Sequence, residues 1–216
     1  MRSAVVTAVV TAVTTGLNFG SWIILLGSAA SGLSGCASGP APQDHFYRLE
    51  VPAPSARGLG TVLNGGLLVE RPTTDALTRG RPLVHRDSES SVELTPYKYH
   101  LWVDTPDLLI QRETIDYLRA AQVATEVTSR RVGMDPRWVL NAHISRMEHL
   151  KSGGDRVIVE IEMRVSPVRG RRARVDKTYR AEQAVSGSGI EAAARAFGNA
   201  VGNILGQLVK DLEATR

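Results

Sequence analysis

The chain reads as an α+β protein: one mixed, mainly antiparallel sheet packed by two main helices, behind a leader that is cleaved. Three patterns carry this. In residues 156–166, Val157, Val159, Ile161, Met163 and Val165 alternate with Glu160, Glu162 and Arg164. That is the period of a strand with one buried and one wet face. Near the C-terminus, Ile190, Ala194, Phe197, Val201, Ile204, Leu205, Leu208 and Leu212 recur in steps of three and four, the stripe of an amphipathic helix. Thr105-Pro106-Asp107 is a helix start: Thr can cap, Pro suits the first helical position, and Asp favours the positive end of the dipole.

In chain order, residues 44–51 form a first strand, stopped by Pro52 and Pro54, and a loop follows to Gly60. Leu67 to Glu70 is a short strand running into Pro72, and 72–82 is irregular. Tyr97, Tyr99 and Trp102 make an aromatic cluster before the first helix. Large rings at such a place seal a core edge. The helix carries Leu108, Ile115, Leu118 and Ala121 as its apolar stripe and runs to about Gln122. A strand follows within 123–131. Another spans 137–150, with Trp138, Leu140, Ala142 and Ile144 on one side. A turn at 151–155 joins it to the 156–166 strand as a hairpin. After a turn at 167–172, residues 173–185 form a strand with Val175, Tyr179, Ala181 and Val185 inward, and Ser186-Gly187-Ser188-Gly189 breaks into the terminal helix.

The leader is the sharpest local signal. After Arg2, residues 3–35 contain no Asp, Glu, Lys, Arg or His. An apolar centre at 22–26 precedes small residues at 27–32, the order of a cleavable secretory signal. Leu33-Ser34-Gly35-Cys36 ends it, and Cys36 is the only cysteine. Leucine, small, small, cysteine resembles a lipobox, at which the thiol is acylated and the preceding peptide removed. The expected organisation is a signal peptide at 1–35, a lipidated cysteine with a flexible Pro-rich tether at 36–43, and one domain at 44–216. The alternative is an uncleaved anchor, since the run exceeds the ~20 residues a span requires. Asn18 and several Thr and Gly residues interrupt it as a span. With the single thiol acylated, no internal disulfide forms.

The formal net charge is +4. No basic face interleaved with aromatics, zinc finger, RNP or helix-turn-helix pattern is present, and export also argues against nucleic acid as a partner. The excess charge serves solubility, or contact with anionic head groups or an acidic partner. Gly198, Gly202 and Gly206 lie four apart inside the terminal helix. Each costs about 1 kcal/mol relative to alanine, so the strip calls for close packing, either on the protein's own sheet or on a partner helix in a homo-oligomer. Arg169-Gly170-Arg171-Arg172-Ala173-Arg174 is a solvated hairpin turn, or a contact for lipid phosphates through residues such as Arg171 and Arg172. His45, His85, His100, His143 and His149 show no metal spacing. His143 and His149 fall on one face of a strand, where two histidines without a third ligand are ordinary strand residues. No GxSxG, HExxH, P-loop or GxGxxG occurs. No catalytic residue, cofactor or metal is expected, and the chain is not read as an enzyme.

Along the chain stand Phe46-Tyr47-Arg48-Leu49, Val69-Glu70-Arg71-Pro72, Arg81-Pro82-Leu83-Val84-His85-Arg86, and Tyr97 with Trp102 and Pro106. With the lipobox in front, this ordered series resembles the ABC-type transport auxiliary lipoprotein family, the PqiC-like lipoproteins of systems that use MCE proteins. Two stretches depart from the family pattern: the glycine-rich Leu63-Asn64-Gly65-Gly66 and the basic 169–174 turn. The resemblance implies a periplasm-facing, non-enzymatic lipoprotein held to a membrane through Cys36. Its partners would be an MCE-domain protein, an inner-membrane permease and an ATPase, with lipid as the cargo, phospholipid as a further contact of this chain, and envelope integrity as the outcome. Ala37 after the cysteine, rather than Asp, implies the outer membrane, with the inner membrane as the alternative. The rival class is a stand-alone envelope lipoprotein that binds a soluble ligand, or a small hydrolase.

Overall fold

A long central strand organises the molecule. The computed structural model describes residues 42–54, 61–130, 133, 135–170 and 172–215. The leader, Cys36 and Arg171 lie outside the described residues. In chain order the elements are β1 (His45–Tyr47), β2 (Leu63–Val69), β3 (Thr73–Thr74), β4 (Pro82–Arg86), β5 (Thr95–Trp102), α1 (Pro106–Ala120), β6 (Ala124–Thr128), β7 (Pro136–Leu150), β8 (Arg156–Pro167), β9 (Val175–Ala184) and α2 (Gly189–Ala214).

β7 has 15 residues and spans roughly 50 Å at ~3.3 Å per residue. On one edge it pairs antiparallel with β8 along its length, and β8 pairs antiparallel with β9. On the other edge β2, β3 and β4 follow one another, all parallel to β7, like one strand interrupted twice. Pro72 and Pro82 bracket these interruptions; a residue without an N–H cannot continue a ladder, but it can open a strand, as Pro82 does. β6 extends the sheet beyond β2, and β5 and then β1 extend it beyond β4. The sheet is mixed and open. Its long pairings are antiparallel and its short ones mostly parallel.

The helices cover one face. Val157, Val159, Ile161, Met163 and Val165 are all buried there, as their alternation predicts, and so are Val175, Tyr179 and Ala181 of β9. Val185 packs half-buried against them. α2 contributes Phe197, Val201, Ile204, Leu205, Leu208 and Leu212, and its buried Ala193, Ala196 and Ala200 let the helix lie close. The opposite face is a lattice of ion pairs: Arg156–Glu182, Arg180–Glu182, Arg164–Asp176 and Arg86–Glu148. Among the described residues the main apolar cluster runs from Leu49 to Leu212, a core of its own of the kind a domain carries. Among the described residues, no helix is long and apolar enough to cross a membrane.

Several expectations are corrected. The 72–82 stretch holds β3, and β4 and β5 occupy segments in which no strand was expected. The stripe of α1 is rotated: Leu108 is only half-buried, whereas Asp107, Leu109, Ile110, Thr114, Ile115 and Leu118 are buried. The helix start is pinned through Asp107, which accepts from Arg71 Nε at 2.5 Å. The buried face therefore passes through position 107. Thr105 stands at the N-cap but makes no side-chain capping bond; its hydroxyl accepts from Arg71 Nη2 at 3.3 Å instead. α1 ends at Ala120, and Gln122 adopts φ 52°, the left-handed conformation that closes a helix. Finally, His143 and His149 lie on opposite faces of β7. The register slips between Ile144 and Arg146, so that His143 faces Glu162 but His149 faces Val157. One extra residue reverses the alternation beyond it.

Candidate functional site

The glycine strip of α2 is a seat for the amino-terminal segment. A Cβ on Gly198 would stand 1.9 Å from the Glu50 carbonyl oxygen, and one on Gly202 would meet Pro52 Cδ at 3.3 Å and Val51 Cγ1 at 3.4 Å. On Gly206 it would approach the Tyr117 hydroxyl of α1 at 3.2 Å. The strip thus lies on the chain's own 50–52 segment and on α1 rather than on the sheet. The segment is also held from the other side, where the Val51 N–H donates to Glu113 Oε2 at 3.1 Å. Burial raises the Glu113 carboxyl above its ordinary value, and the bond from Val51 opposes the rise. Beside the strip a groove of about 450 Å³ opens among Pro54, Tyr117, Ala121, Asn203 and Lys210.

Trp102 is 2% exposed. Its ring meets Phe197 edge-on at 5.6 Å, and Phe197 precedes Gly198. The aromatic at the end of β5 and the glycine strip are therefore parts of one junction between the strapped segment, the sheet and α2.

At the end of β7 the sheet gathers four of the five histidines. His45 of β1 stacks on His100 of β5 at 5.2 Å, and the Tyr47 hydroxyl shares a hydrogen bond with His100 Nδ1 at 2.8 Å. The Tyr97 hydroxyl bonds His149 Nδ1 at 2.9 Å, and His149 Nε2 contacts the Asp155 carboxylate. A carboxylate only accepts, so His149 donates through Nε2 to Asp155, and its Nδ1 shares the hydrogen bond with the Tyr97 hydroxyl. Lys151 Nζ donates to His85 Nε2 at 3.2 Å, and the His85 and Tyr97 rings lie 4.4 Å apart. Burial, then the charges of Asp155 and Asp87, push Tyr97 up to about 12. The Asp155–His149–Tyr97 relay thus ends in a phenol that stays protonated. It joins β5 to β7. Burial, and then Lys151, hold His85 below the usual imidazole range; burial, and then His45, do the same for His100. Among the described residues, no group of three or more His, Cys, Asp or Glu is placed to hold a metal ion. Sequence spacing does not reveal this cluster, because its members come from four strands that meet only through non-local pairing.

The opposite end of β7 is basic. Arg172 is exposed in the turn between β8 and β9, while Arg174 turns inward to donate to Leu212 O at 3.2 Å and to cover the Trp138 ring at 5.8 Å. A groove of about 490 Å³ lies there between Arg137, Trp138, Pro167, Val168 and Arg169. The residues singled out from sequence therefore fall at separate places: Trp102 with Gly198, Gly202 and Gly206 at the strap, and Arg172 at the basic end.

These features define a two-layer α+β domain whose amino-terminal segment is strapped to its last helix. A family model described as the ABC-type transport auxiliary lipoprotein component matches residues 47–209, and the chain belongs to that family. No curated protein matches. Among solved structures, a Xanthomonas campestris protein of the DUF330 family superimposes with a TM-score of 0.69 at 17% identity, covering 79% of this chain and 95% of its own. An uncharacterized protein superimposes at 0.64 with 14% identity, covering 78% of this chain and 98% of its own. Both share the fold. A PelC dodecamer from Paraburkholderia phytofirmans reaches only 0.42 at 12% identity, covering 76% of this chain and 92% of its own; it carries no argument about assembly.

Proposed function

We propose that this protein is a non-enzymatic subunit of an MCE-type lipid transport system, tied to the periplasmic side of the outer membrane by acyl chains on Cys36 after removal of residues 1–35. The family match over residues 47–209 carries the reading. The lipobox and Ala37 support the anchor and its membrane, and the strap supports the mechanics. A pull transmitted through the tether reaches β1 and then the 50–52 segment, which the glycine strip and Glu113 clamp against α2 and α1. Load on the anchor is thereby spread into the core rather than borne by a three-residue edge strand.

Purification of the tagged protein from solubilised envelopes tests this. An MCE-domain protein with its permease and ATPase should come down with it, and Cys36→Ser should release the protein from the membrane. Isolation of the lipoprotein alone, in detergents that keep such complexes intact, would sink the transport assignment. The groove beside Gly202 and Gly206 favours a second reading, a stand-alone lipoprotein that binds a soluble ligand, and that same outcome would support it.

A further inference from the structure

We propose that the basic end of the sheet, where β7 begins and β8 ends, is a contact site for the phosphate head groups of an anionic membrane surface. Arg137 and Arg169 would bind phosphate, and Trp138 with Val168 would supply the apolar contact. Direct contact of this kind stands independently of the transport assignment.

The distribution of arginine partners is the first ground. Elsewhere many arginines are matched to carboxylates, as in Arg71–Asp107, Arg112–Asp104, Arg164–Asp176 and Arg195–Glu191, while Arg79 and Arg81 donate to backbone carbonyls and, with Arg48 and Arg130, make no ion pair among the described residues. At this end Arg137, Arg169 and Arg172 make no ion pair among the described residues. Among the described residues lining the groove there is one carboxylate, Asp135, against two arginines.

The second ground is construction. Gly65 has φ 100°, and a Cβ there would stand 2.6 Å from Arg137 Cδ, so the glycine makes room for the arginine stem to lie on the backbone. The Val168 N–H donates to the Arg137 carbonyl at 2.9 Å, which fixes the two strand ends together. Trp138 Nε1 donates to Asn64 O at 3.2 Å, orienting the ring at the groove. The glycine-rich 63–66 segment and the basic turn are far apart in the chain, and the fold brings them together here, with Asn64 and Arg169 lining one groove.

The chemistry selects the occupant. Guanidinium groups match phosphate oxygens bidentately. Tryptophan suits an interface because its body is apolar and its tip is polar. Val168 is 46% exposed. A free phosphate has no use for an exposed valine and an indole beside the charges, whereas a head-group layer over acyl chains does.

The domain spanning residues 42–216, which holds the core among the described residues, is the material for the test. It should co-sediment with vesicles of phosphatidylglycerol in phosphatidylcholine, be released by salt, and ignore pure phosphatidylcholine. Brominated acyl chains should quench Trp138 and spare the buried Trp102. Arg137→Gln with Arg169→Gln should weaken binding about 25-fold, from roughly fivefold per arginine near an anionic surface. Arg195→Gln, at an exposed pair on α2, should leave it unchanged. Equal binding by the double variant and the parent would overturn the proposal, as would failure of the parent to bind phosphatidylglycerol vesicles. Saturable binding of inorganic phosphate without vesicle binding would assign the groove to a soluble anion and also overturn it.

Discussion

The two ends of β7 solve opposite problems with similar residues. At the carboxyl end, histidines, tyrosines, Asp155 and Lys151 are turned on one another, and the rings are stacked or hydrogen-bonded across β1, β5, β4 and β7. At the amino end, Arg137 and Arg169 face solvent beside a half-buried indole. A polar cluster bonded mostly within itself specifies the packing of strands, although the buried His85 Nδ1 is left without a hydrogen-bond partner among the described residues. Charged groups without a protein partner at a surface, that of Arg137 with its stem laid against Gly65, are available to something else. The difference separates the end that holds the domain together from the end that is free to meet a partner.

The two tryptophans of the domain give the largest test of that contrast. Trp102→Ala removes a fully buried ring from the strap junction and should cost about 3–5 kcal/mol. Trp138→Ala removes a ring at the open end and should cost about 1 kcal/mol or less. Urea unfolding of the 42–216 domain measures both. Similar losses at the two positions would erase the distinction.

The strap provides the next effect. Gly198→Ala raises helix propensity by about 1 kcal/mol, yet its methyl would stand 1.9 Å from the Glu50 carbonyl. The net result should be a loss of about 1–3 kcal/mol, as for overpacking. Gly206→Ala meets only the end of Tyr117 and should be near neutral. A stabilised Gly198→Ala would mean that the 50–52 segment yields readily and clamps nothing.

What the sequence revealed, and what it hid, follows from the range of the interactions. The alternation of β8, the stripe of α2 and the 151–155 hairpin are local patterns, and each could be read. β4 and β5 were obscured because Pro82 and Pro96 look like breaks. Pro82 opens its strand, and Pro96 pairs with Val84 near the start of β5. The glycine strip announced a close neighbour but not which one. Glu50 and Val51 were expected as the end of the first strand and Pro52 as its stop; β1 ends at Tyr47 instead, and 50–52 lies on α2. The histidine cluster was invisible, because His45 and His149 lie at distant chain positions and meet through strands ordered around β7. The bulge after Ile144 has no signature of its own, since Ser145 fits an ordinary alternation.

Acid should separate the two ends by a smaller amount. Unfolded histidine takes up a proton near pH ~6.5. His85 and His100 are held below that value in the fold, by burial first and then by Lys151 and His45 respectively. His85 is also faced by Asp87 and Glu93, which pull the other way, and by His149. Below pH ~6.5 the unfolded chain therefore binds more protons than the folded one, and stability falls as pH drops toward the depressed folded values. Above that range the contribution is fully present. Unfolding at about pH 7.5 and about pH 5.5 should show the loss. His85→Gln, which can still accept from Lys151, should flatten it. An unchanged slope in His85→Gln would remove His85 from the explanation.

The smallest effect is expected at the basic end, and its smallness is the point. Arg137→Gln with Arg169→Gln deletes two exposed charges that have no ion-pair partner among the described residues. Surface substitutions away from caps, cavities and buried networks usually stay within ±0.5 kcal/mol, and removing like charges relieves some repulsion. The variant should therefore unfold within about 0.5 kcal/mol of the parent, with the same dependence on pH. A loss above about 1 kcal/mol would show that Arg137, lying over Gly65, supports the start of β7. The unmatched charges would then be part of the scaffold, and the contrast between the two ends would fail on the side where it predicts freedom.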